Sequence, residues 1–265
     1  MICLGGLGAD VVDSVRGWWK FDETSGTIAR DSGPYAYQGN LQGGMTFASS
    51  SVAGQQGTAL AFDGTDDFVQ VSLSPNLAFS GQQSFSISVW VYFEGATNVD
   101  RWILQKGDNF WLWYKGSTGE ISFGYDQGGP RETFRSWSPV IGRWYHFSCV
   151  HDAEAGTLAV AVDKVQIGST GTGFTASLNG NDGTLTIGRR PTPVYNYFQG
   201  RMDDLRIFNK VLSAAEISTL ATSGGTSSAS SGSSANSTGV LGPNPGTGGC
   251  FLGFGFEAED TCGSR

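Results

Sequence analysis

The segment 201–217 joins an extended run to a helix start, and this combination restricts what the chain can fold into. Leu205 and Ile207 alternate with polar residues in the extended part, as in a β-strand with one face in a core. Ser213 then follows as a helix N-cap, and Glu216 stands three residues later, where a capping box needs it. A strand closed by a short helix is typical of the end of a domain. We therefore predict one β-rich unit before this segment and a tail after it.

Many short strands separated by turns are predicted upstream of this segment. Of the 265 residues, 40 are glycine and only 15% are charged. About a dozen apolar runs recur at spacings of roughly 8 to 12 residues, as in a β-sandwich. In the clearest run, 85–93, apolar residues alternate with a second set that includes Trp90 and Tyr92. The pattern predicts an all-β fold with two antiparallel sheets and one short C-terminal helix.

Composition divides the chain into four parts. The third part contains almost only Ser, Gly, Thr, Ala and Asn, which cannot bury enough apolar surface to fold, so we expect a flexible tail there. The last part returns to aromatic character, and a bridge between Cys250 and Cys262 would close it into a loop. The four parts are a leader at 1–16, a domain at 17–222, a linker at 223–249 and a docking segment at 250–265.

Charge and hydropathy exclude two classes of partner. The formal net charge is −8, whereas binding to nucleic acid or to anionic lipid needs a basic surface. No run of about 18 apolar residues is present, so no membrane insertion is predicted. No signal peptide is visible at the N-terminus, which leaves a removed signal, unconventional export or a virion component. The expected location is extracellular, at the cell surface or at a virion surface.

Five blocks of sequence, in this order and spacing, resemble a laminin-G-like jelly-roll domain of the concanavalin A-like superfamily. The resemblance implies a curved sandwich of two antiparallel sheets, with the first and last strands adjacent. Members are mostly accessory modules of secreted, surface or viral proteins that bind glycans or proteins, often with one calcium ion. The blocks are 19–23 with 31–33 downstream, 61–69, 85–91, 143–146, and 200–208 with its capped helix.

Catalysis is not predicted. Glucanases that this fold resembles carry Glu-x-Asp-x-Glu or Glu-x-Asp-x-x-Glu on one strand, because retaining hydrolysis needs two carboxylates about 5–5.5 Å apart. The chain has no such triplet. His146 and His151 lie five residues apart on a predicted strand and point to opposite faces, so they build no catalytic triad, and His146 is interpreted as a structural histidine. Two histidines without nearby cysteines also give no zinc pattern. The isolated glutamates are Glu94, Glu120, Glu132 and Glu154.

A calcium site is predicted from acidic residues in turns and at strand ends. Asp22, Asp31 and Asp203 are the proposed ligands, since hard cations take several oxygen ligands. Asp203 shares the alternation of Leu205 and is expected to point inward, where an unpaired carboxylate would be unfavourable. The alternative is a salt bridge, for example to Arg16 or Arg30, or hydrogen bonds within turns. A second acidic group is interpreted as turn-forming and consists of Asp63, Asp66 and Asp67.

Aromatic residues on a sheet face or in a loop are the candidates for ligand binding, because sugars stack on aromatic rings beside polar neighbours. The loop around Tyr195 and Tyr197 follows two prolines and is the strongest candidate. The full set is Trp90, Tyr92, Trp111, Trp113, Trp137, Tyr195 and Tyr197.

Two functions from different classes fit these observations. The first is a non-catalytic binding or adhesion module that recognises a glycan or a surface protein, assisted by calcium. The alternative is a structural subunit of a surface filament, layer or virion, which would self-assemble through the leader and the C-terminal tail as docking arms.

Overall fold

The computed structural model describes residues 8–222, apart from 73, 127–129, 169, 175–177, 181–182 and 192–193. Antiparallel strands dominate this part of the chain. Within it, no helix combines the length and apolar character that crossing a membrane requires. The helices are α1 (Ala9–Ser14), α2 (Phe47–Ser50) and α3 (Ala214–Leu220), with one 3-10 turn at Pro75–Leu77.

The strands are short in the first third of the domain and longer after it. The early strands are β1 (Val15–Trp19), β2 (Ile28–Ala29), β3 (Gly39–Gln42), β4 (Ser51–Ala53), β5 (Thr58–Asp63), β6 (Phe68–Val71), β7 (Ser80–Gly81) and β8 (Phe85–Phe93). The later strands are β9 (Arg101–Lys106), β10 (Phe110–Lys115), β11 (Glu120–Asp126), β12 (Pro130–Ser136), β13 (Trp144–Asp152), β14 (Thr157–Val162), β15 (Val165–Gln166), β16 (Gly171–Thr172), β17 (Leu178–Asn179), β18 (Leu185–Ile187) and β19 (Gln199–Phe208).

These strands build two large antiparallel sheets, which confirms the predicted sandwich. The nine-stranded sheet runs β15-β14-β13-β8-β19-β5-β4, with β1 beside β19 and β16 beside β14. The eight-stranded sheet runs β12-β11-β10-β9-β18-β6-β3-β2. A small third sheet pairs β17 with β7.

One hydrophobic core lies between the two large sheets. Alternate residues of β8 face it, as the sequence pattern predicts, and their rings meet rings of the opposite sheet. Phe85 contacts Phe123 with ring centroids 5.7 Å apart, and Phe93 contacts Tyr114 at 5.8 Å. Edge-to-face aromatic pairs of this kind add specificity to the burial of apolar area. Cys149 is fully buried on β13, as a small apolar side chain would be.

The first and last strands pair, as the resemblance predicts. Trp19 of β1 lies opposite Leu205 of β19. Helix α3 then begins with the predicted capping box: the Glu216 N–H donates to the Ser213 hydroxyl, and the Ser213 N–H donates to the Glu216 carboxylate. Two orphan donors of the first helical turn are satisfied in this way.

The segment predicted as a leader contributes to the domain from residue 9 onward. Helix α1 carries Val11, which is fully buried in a cluster with Trp18, Phe208 and Leu220 on the outer side of the nine-stranded sheet. Strand β1 begins at Val15, two residues before the predicted start of the domain. This part of the leader is therefore packed within its own domain and is not a free docking arm.

The turn at 63–64 does not form a hairpin. An Asp-Gly pair between two apolar runs predicts one, in which the flanking strands pair with each other. Strand β5 instead pairs with β4 and β19 in the nine-stranded sheet, and β6 pairs with β3 and β18 in the eight-stranded sheet. The turn links the two layers, because turn chemistry specifies a reversal but not which partner each strand takes. The apolar runs 144–152 and 158–163 also predict a hairpin, and there β13 does pair with β14.

The predicted linker and docking segment lie outside the described residues. This applies to residues 223–249, to residues 250–265 and to the proposed bridge between Cys250 and Cys262.

Candidate functional site

A cleft of about 440 Å³ opens on the side of the eight-stranded sheet that faces away from the core. Strands β9 to β12 form its floor, and the loop after β18 forms one wall. The cleft combines indole rings with carboxylates and amides, which is the mixture that small polar ligands need. Its lining consists of Asp100, Trp102, Gln105, Asp108, Trp111, Trp113, Asp126, Pro130, Glu132, Arg190, Tyr195 and Asn196.

Strand β10 delivers two tryptophans to this cleft. Phe110, Leu112 and Tyr114 alternate into the core, which turns Trp111 and Trp113 to the opposite face. The sequence alternation predicts this arrangement, and both residues were candidates for ligand binding.

Trp102 reaches the same face through an irregularity in β9. The register places Leu104 opposite Leu112 but Trp102 opposite Trp113, so Ile103 is the extra residue of a β-bulge. Ile103 and Leu104 consequently both face the core. The bulge puts Trp102 on the cleft face together with Gln105, although they stand three positions apart. Simple alternation does not predict this, and sequence analysis missed both residues.

The aromatic groups form a continuous ladder. The rings of Trp102 and Trp113 stack with centroids 5.3 Å apart and planes 5° from parallel, and Phe134 meets Trp113 edge-on at 6.1 Å. The Arg190 guanidinium lies 5.3 Å above the Trp102 ring and 5.0 Å above the Tyr195 ring, and it also donates to the Tyr195 hydroxyl. Stacking between rings and a guanidinium fixes these groups before any ligand arrives.

Glu132 of β12 holds two of the tryptophans in place. One of its oxygens accepts hydrogen bonds from Trp111 Nε1 at 3.1 Å, from Trp113 Nε1 at 3.4 Å and from Ser122 Oγ at 2.6 Å. Gly124 lies between Glu132 and Trp111 in the strand register. A Cβ atom on Gly124 would stand 2.4 Å from the Glu132 Cβ, so the absent side chain is what lets Glu132 reach across β11.

A polar row continues from Trp111 across the sheet. Gln105 lies opposite Trp111, and Thr186 of β18 lies opposite Gln105, followed by Gln70 of β6. The Gln105 side chain is only 7% exposed, and its Oε1 has no hydrogen-bond partner among the described residues. A buried amide oxygen without a donor is unfavourable by about 1–3 kcal/mol.

The structure brings three of the seven aromatic candidates together, namely Trp111, Trp113 and Tyr195. Tyr197 follows them in the same loop but does not line the cleft; its carbonyl accepts from Arg101.

The other aromatic candidates lie elsewhere. Trp90 and Tyr92 belong to the nine-stranded sheet: Trp90 packs on His146, and Tyr92 packs between Trp144 and the Arg201 guanidinium. Trp137 packs against the core, in edge contacts with several buried rings. These three residues do not line the cleft.

His146 has the structural role that the sequence favours. The ring is buried, and its Nε2 lies 2.9 Å from the Ser88 hydroxyl. Burial, with smaller contributions from the nearby Arg206 and Lys164 charges, lowers the pKa of His146 to about 3. The imidazole is therefore neutral at physiological pH.

Asp31 does not belong to a metal site with the other predicted ligands. Its Oδ1 accepts from the backbone N–H groups of Trp18 and Gly33, and its Oδ2 accepts from the N–H of Tyr37. Three backbone donors satisfy this carboxylate, an arrangement that matches the alternative of hydrogen bonds within turns.

Asp203 is fully buried, as predicted, but on the opposite face from the expected one. A bulge at Asp204, whose φ is +50°, breaks the alternation of β19, and Asp203 lies opposite Trp90. Its Oδ2 accepts from the N–H groups of Gln55 and Gln56, whereas Oδ1 has no partner within the described part of the chain. Burial, joined by the like charges of Asp204 and Asp22, raises the pKa of Asp203 to about 8.

Asp22 holds the same turn from its other end, by accepting from the Thr58 N–H at 2.9 Å. Asp22 and Asp203 thus hold the same turn, and Asp203 Oδ1 is a buried oxygen without a partner among the described residues. In the region that the structure describes, only one group has three acidic, histidine or cysteine ligand atoms within 4.8 Å, and it comprises Asp63, Asp66 and Asp67. Asp63 there accepts from the N–H groups of Thr65 and Asp66, as a turn former does.

Comparison with known families agrees with this architecture. The family model described as "Concanavalin A-like lectin/glucanases superfamily", a laminin-G model, matches residues 63–218, which is more than half of the chain. The chain belongs to this superfamily. The match confirms the resemblance inferred from the sequence blocks. No curated protein matches the sequence.

Solved structures share the fold of this superfamily member at low identity. Domain 4 of AbnA, a GH43 extracellular arabinanase from Geobacillus stearothermophilus solved with arabinotriose, is 21% identical with a TM-score of 0.59, and the match covers 78% of this chain and 98% of that one. The binding domain of botulinum neurotoxin DC, solved with rat synaptotagmin II, is 15% identical with a TM-score of 0.60, covering 81% and 52%. The binding domain of botulinum neurotoxin serotype D is 13% identical with a TM-score of 0.63, covering 80% and 51%. This chain spans about half the length of the neurotoxin domains.

Proposed function

We propose that this chain is a non-catalytic module that binds an oligosaccharide in the cleft of the eight-stranded sheet. One observation carries the proposal: Glu132 fixes Trp111 and Trp113 beside the unpartnered amide oxygen of Gln105. Indole rings supply the apolar surface on which a sugar ring stacks, and the amide and carboxylates supply acceptors for its hydroxyls. The complex of AbnA domain 4 with arabinotriose supports a saccharide ligand for this fold.

Binding without turnover is part of the proposal. Among the four glutamates that the sequence leaves isolated, only Glu132 lines the cleft, and its hydrogen-bonded oxygen is occupied by two indoles and a hydroxyl. Glycoside hydrolysis also needs a second carboxylate at a defined separation, and none of the other cleft carboxylates shares a strand with Glu132 as in the glucanase pattern. An extracellular, cell-surface or virion-surface setting and an adhesive role belong to the same proposal.

The test is oligosaccharide binding by calorimetry, with arabino-oligosaccharides and a panel of other neutral oligosaccharides. We expect Trp113→Ala to weaken binding at least about tenfold, equivalent to about 1.4 kcal/mol, because a stacking surface is lost. The matched control is Tyr92→Ala, which removes a half-buried aromatic from the other sheet and should leave binding unchanged. Absence of binding to every saccharide, or equal losses in both variants, would contradict the proposal, and release of shortened products would show catalysis.

A calcium ion is a separate proposal, now limited to two ligands. We propose that Asp22 and Asp203 hold it, since Asp203 Oδ1 is buried without a partner and two like charges surround it. Calcium takes six to eight oxygen ligands, so backbone carbonyls and water would complete the shell. A rise in Tm with calcium that disappears in Asp203→Asn would support the ion, and equal Tm values in calcium and in EDTA would contradict it.

The alternative function, a structural subunit, has less support. Residues 9–16 of the predicted leader are packed within their own domain. The remaining docking arm, residues 250–265, lies outside the described residues, so self-assembly stays a prediction from the sequence.

A further inference from the structure

The charges around the cleft point to a narrower class of ligand. Resting on the proposed function, we propose that the cleft selects saccharides carrying a protonated amine and rejects anionic saccharides. The lining carries four carboxylates against one guanidinium, that of Arg190. The carboxylates belong to Asp100 just before β9, Asp108 between β9 and β10, Asp126 at the end of β11, and Glu132 within β12.

The single guanidinium is committed to the protein. Arg190 lies above the rings of Trp102 and Tyr195 and donates to the Tyr195 hydroxyl. A ligand carboxylate would have to compete with these contacts and approach four negative charges at the same time. Repulsion of an anion is strongest in a half-enclosed cleft, where low-dielectric walls focus the field.

Other nearby cations do not reverse this balance. Lys106 follows Gln105 on β9, but it is fully buried, and its Nζ donates to the Gly183 carbonyl. Counting its charge still leaves an excess of two negative charges among these groups. Lys115 lies over the Phe134 ring at 5.2 Å, beyond the cleft lining.

The tryptophans of the cleft favour a cationic ligand, as the carboxylates do. The face of an indole carries negative charge density and attracts a cation within about 6 Å of the ring centre. Trp111 and Trp113 present fixed rings because Glu132 holds their N–H groups. An ammonium group on a sugar that stacks in the cleft would therefore be attracted by the indole faces and by the carboxylates.

An organic cation suits this lining better than a metal ion. Within the described ranges, no three carboxylate oxygens of the cleft come within 4.8 Å of one another; that spacing occurs only in the turn at 63–67. Dispersed charges suit a ligand in which one amine sits among several sugar hydroxyls. A second indication of a ligand is independent of charge, namely the unpartnered Oε1 of Gln105.

The experiment compares three ligands of equal length by calorimetry: oligomers of glucosamine, of N-acetylglucosamine and of galacturonic acid. At an ionic strength of about 20 mM, where screening is weak, we expect the glucosamine oligomer to bind at least about tenfold more tightly than its acetylated counterpart. The preference should shrink at about 0.5 M salt. The uronic acid oligomer should not bind.

Two variants separate the cleft charge from the overall charge of −8. Asp100→Asn keeps an acceptor for the Ser117 N–H and should lower the preference for the amine about threefold. Asp13→Asn removes the same charge from an exposed position on α1 and should leave the preference unchanged. Equal binding of the amine and N-acetyl ligands, or tighter binding of the uronic acid, would overturn this inference while leaving the proposed function intact. If no neutral or amino saccharide binds, the proposed function itself fails.

Discussion

Gly124→Val is expected to abolish oligosaccharide binding and to destabilise the fold. A Cβ at this position would stand 2.4 Å from the Glu132 Cβ and 2.6 Å from the Arg131 carbonyl oxygen, so β12 must move away from β11. Overpacking of this kind lowers the free energy of unfolding by about 1–3 kcal/mol. Movement of β12 also withdraws Glu132 from Trp111 and Trp113, which lose their common acceptor. Titration calorimetry measures the loss of binding, and urea unfolding measures the loss of stability. The near-ultraviolet circular dichroism of the tryptophans reports whether Trp111 and Trp113 have lost their fixed orientation.

The control for Gly124→Val is Gly26→Ala. Gly26 has a φ of +82° with open space around it, so alanine strains the backbone by about 1 kcal/mol without a steric clash. We expect this variant to lose stability and keep full binding. Gly124→Ala, a smaller change, keeps the test useful if the valine variant does not fold. If a folded Gly124→Ala protein bound the oligosaccharide as tightly as wild type, the hydrogen bonds from Trp111 and Trp113 to Glu132 would not be needed for binding.

Asp203→Asn is expected to remove a strong pH dependence of stability in the metal-free protein. Burial, with the charges of Asp204 and Asp22 nearby, raises the pKa of Asp203 to about 8. Between about pH 4 and pH 8 the folded protein therefore holds a proton that the unfolded chain has released. The free energy of unfolding falls as pH rises through this window, by at most about 1.4 kcal/mol per pH unit from this group, and levels off above about pH 8.

Asparagine keeps an acceptor for the N–H groups of Gln55 and Gln56, so the turn at 54–57 should survive in Asp203→Asn. His146 acts in the opposite direction: its lowered pKa removes stability as pH falls below about 6.5. The relevant quantity is therefore the difference between variant and wild type, measured by urea unfolding in EDTA from pH 5 to pH 9. We expect the variant to gain stability relative to wild type as pH rises. A constant difference across this range would contradict the account of Asp203.

The sequence was sufficient for the features that depend on local patterns. Alternation in 85–93 and in β10 predicts which residues face the core, and the Ser213–Glu216 box predicts the start of α3. The first and last strands follow from the family resemblance and are adjacent as expected.

Features that depend on strand register could not be predicted. Trp102 reaches the cleft only because Ile103 is an extra residue in β9, and Asp203 changes face only because Asp204 adopts a positive φ. Neither bulge contains a glycine, which would indicate a bulge in the sequence, so the pattern predicts a regular strand at both places. Each bulge is stabilised by neighbours far along the chain, which a local pattern does not contain.

Glu132 shows the same limit in the site itself. In the sequence it is an isolated glutamate with no catalytic partner, and it carries no signal of binding. Its role appears only when the register sets it beside Gly124 and, one strand further, Trp111. A glycine within an otherwise regular strand was the one local hint, since it marks a place where another group comes close.

The most direct test of the cleft is to follow the indole N–H signals of the protein by NMR during titration with the best-binding oligosaccharide. Trp→Phe variants assign the signals. Our account predicts that the Nε1–H signals of Trp111 and Trp113, which donate to Glu132, shift and saturate together with the calorimetric isotherm, while those of Trp18 and Trp137 stay fixed. Shifts confined to Trp90 and Trp144 would place the ligand on the nine-stranded sheet and contradict the account.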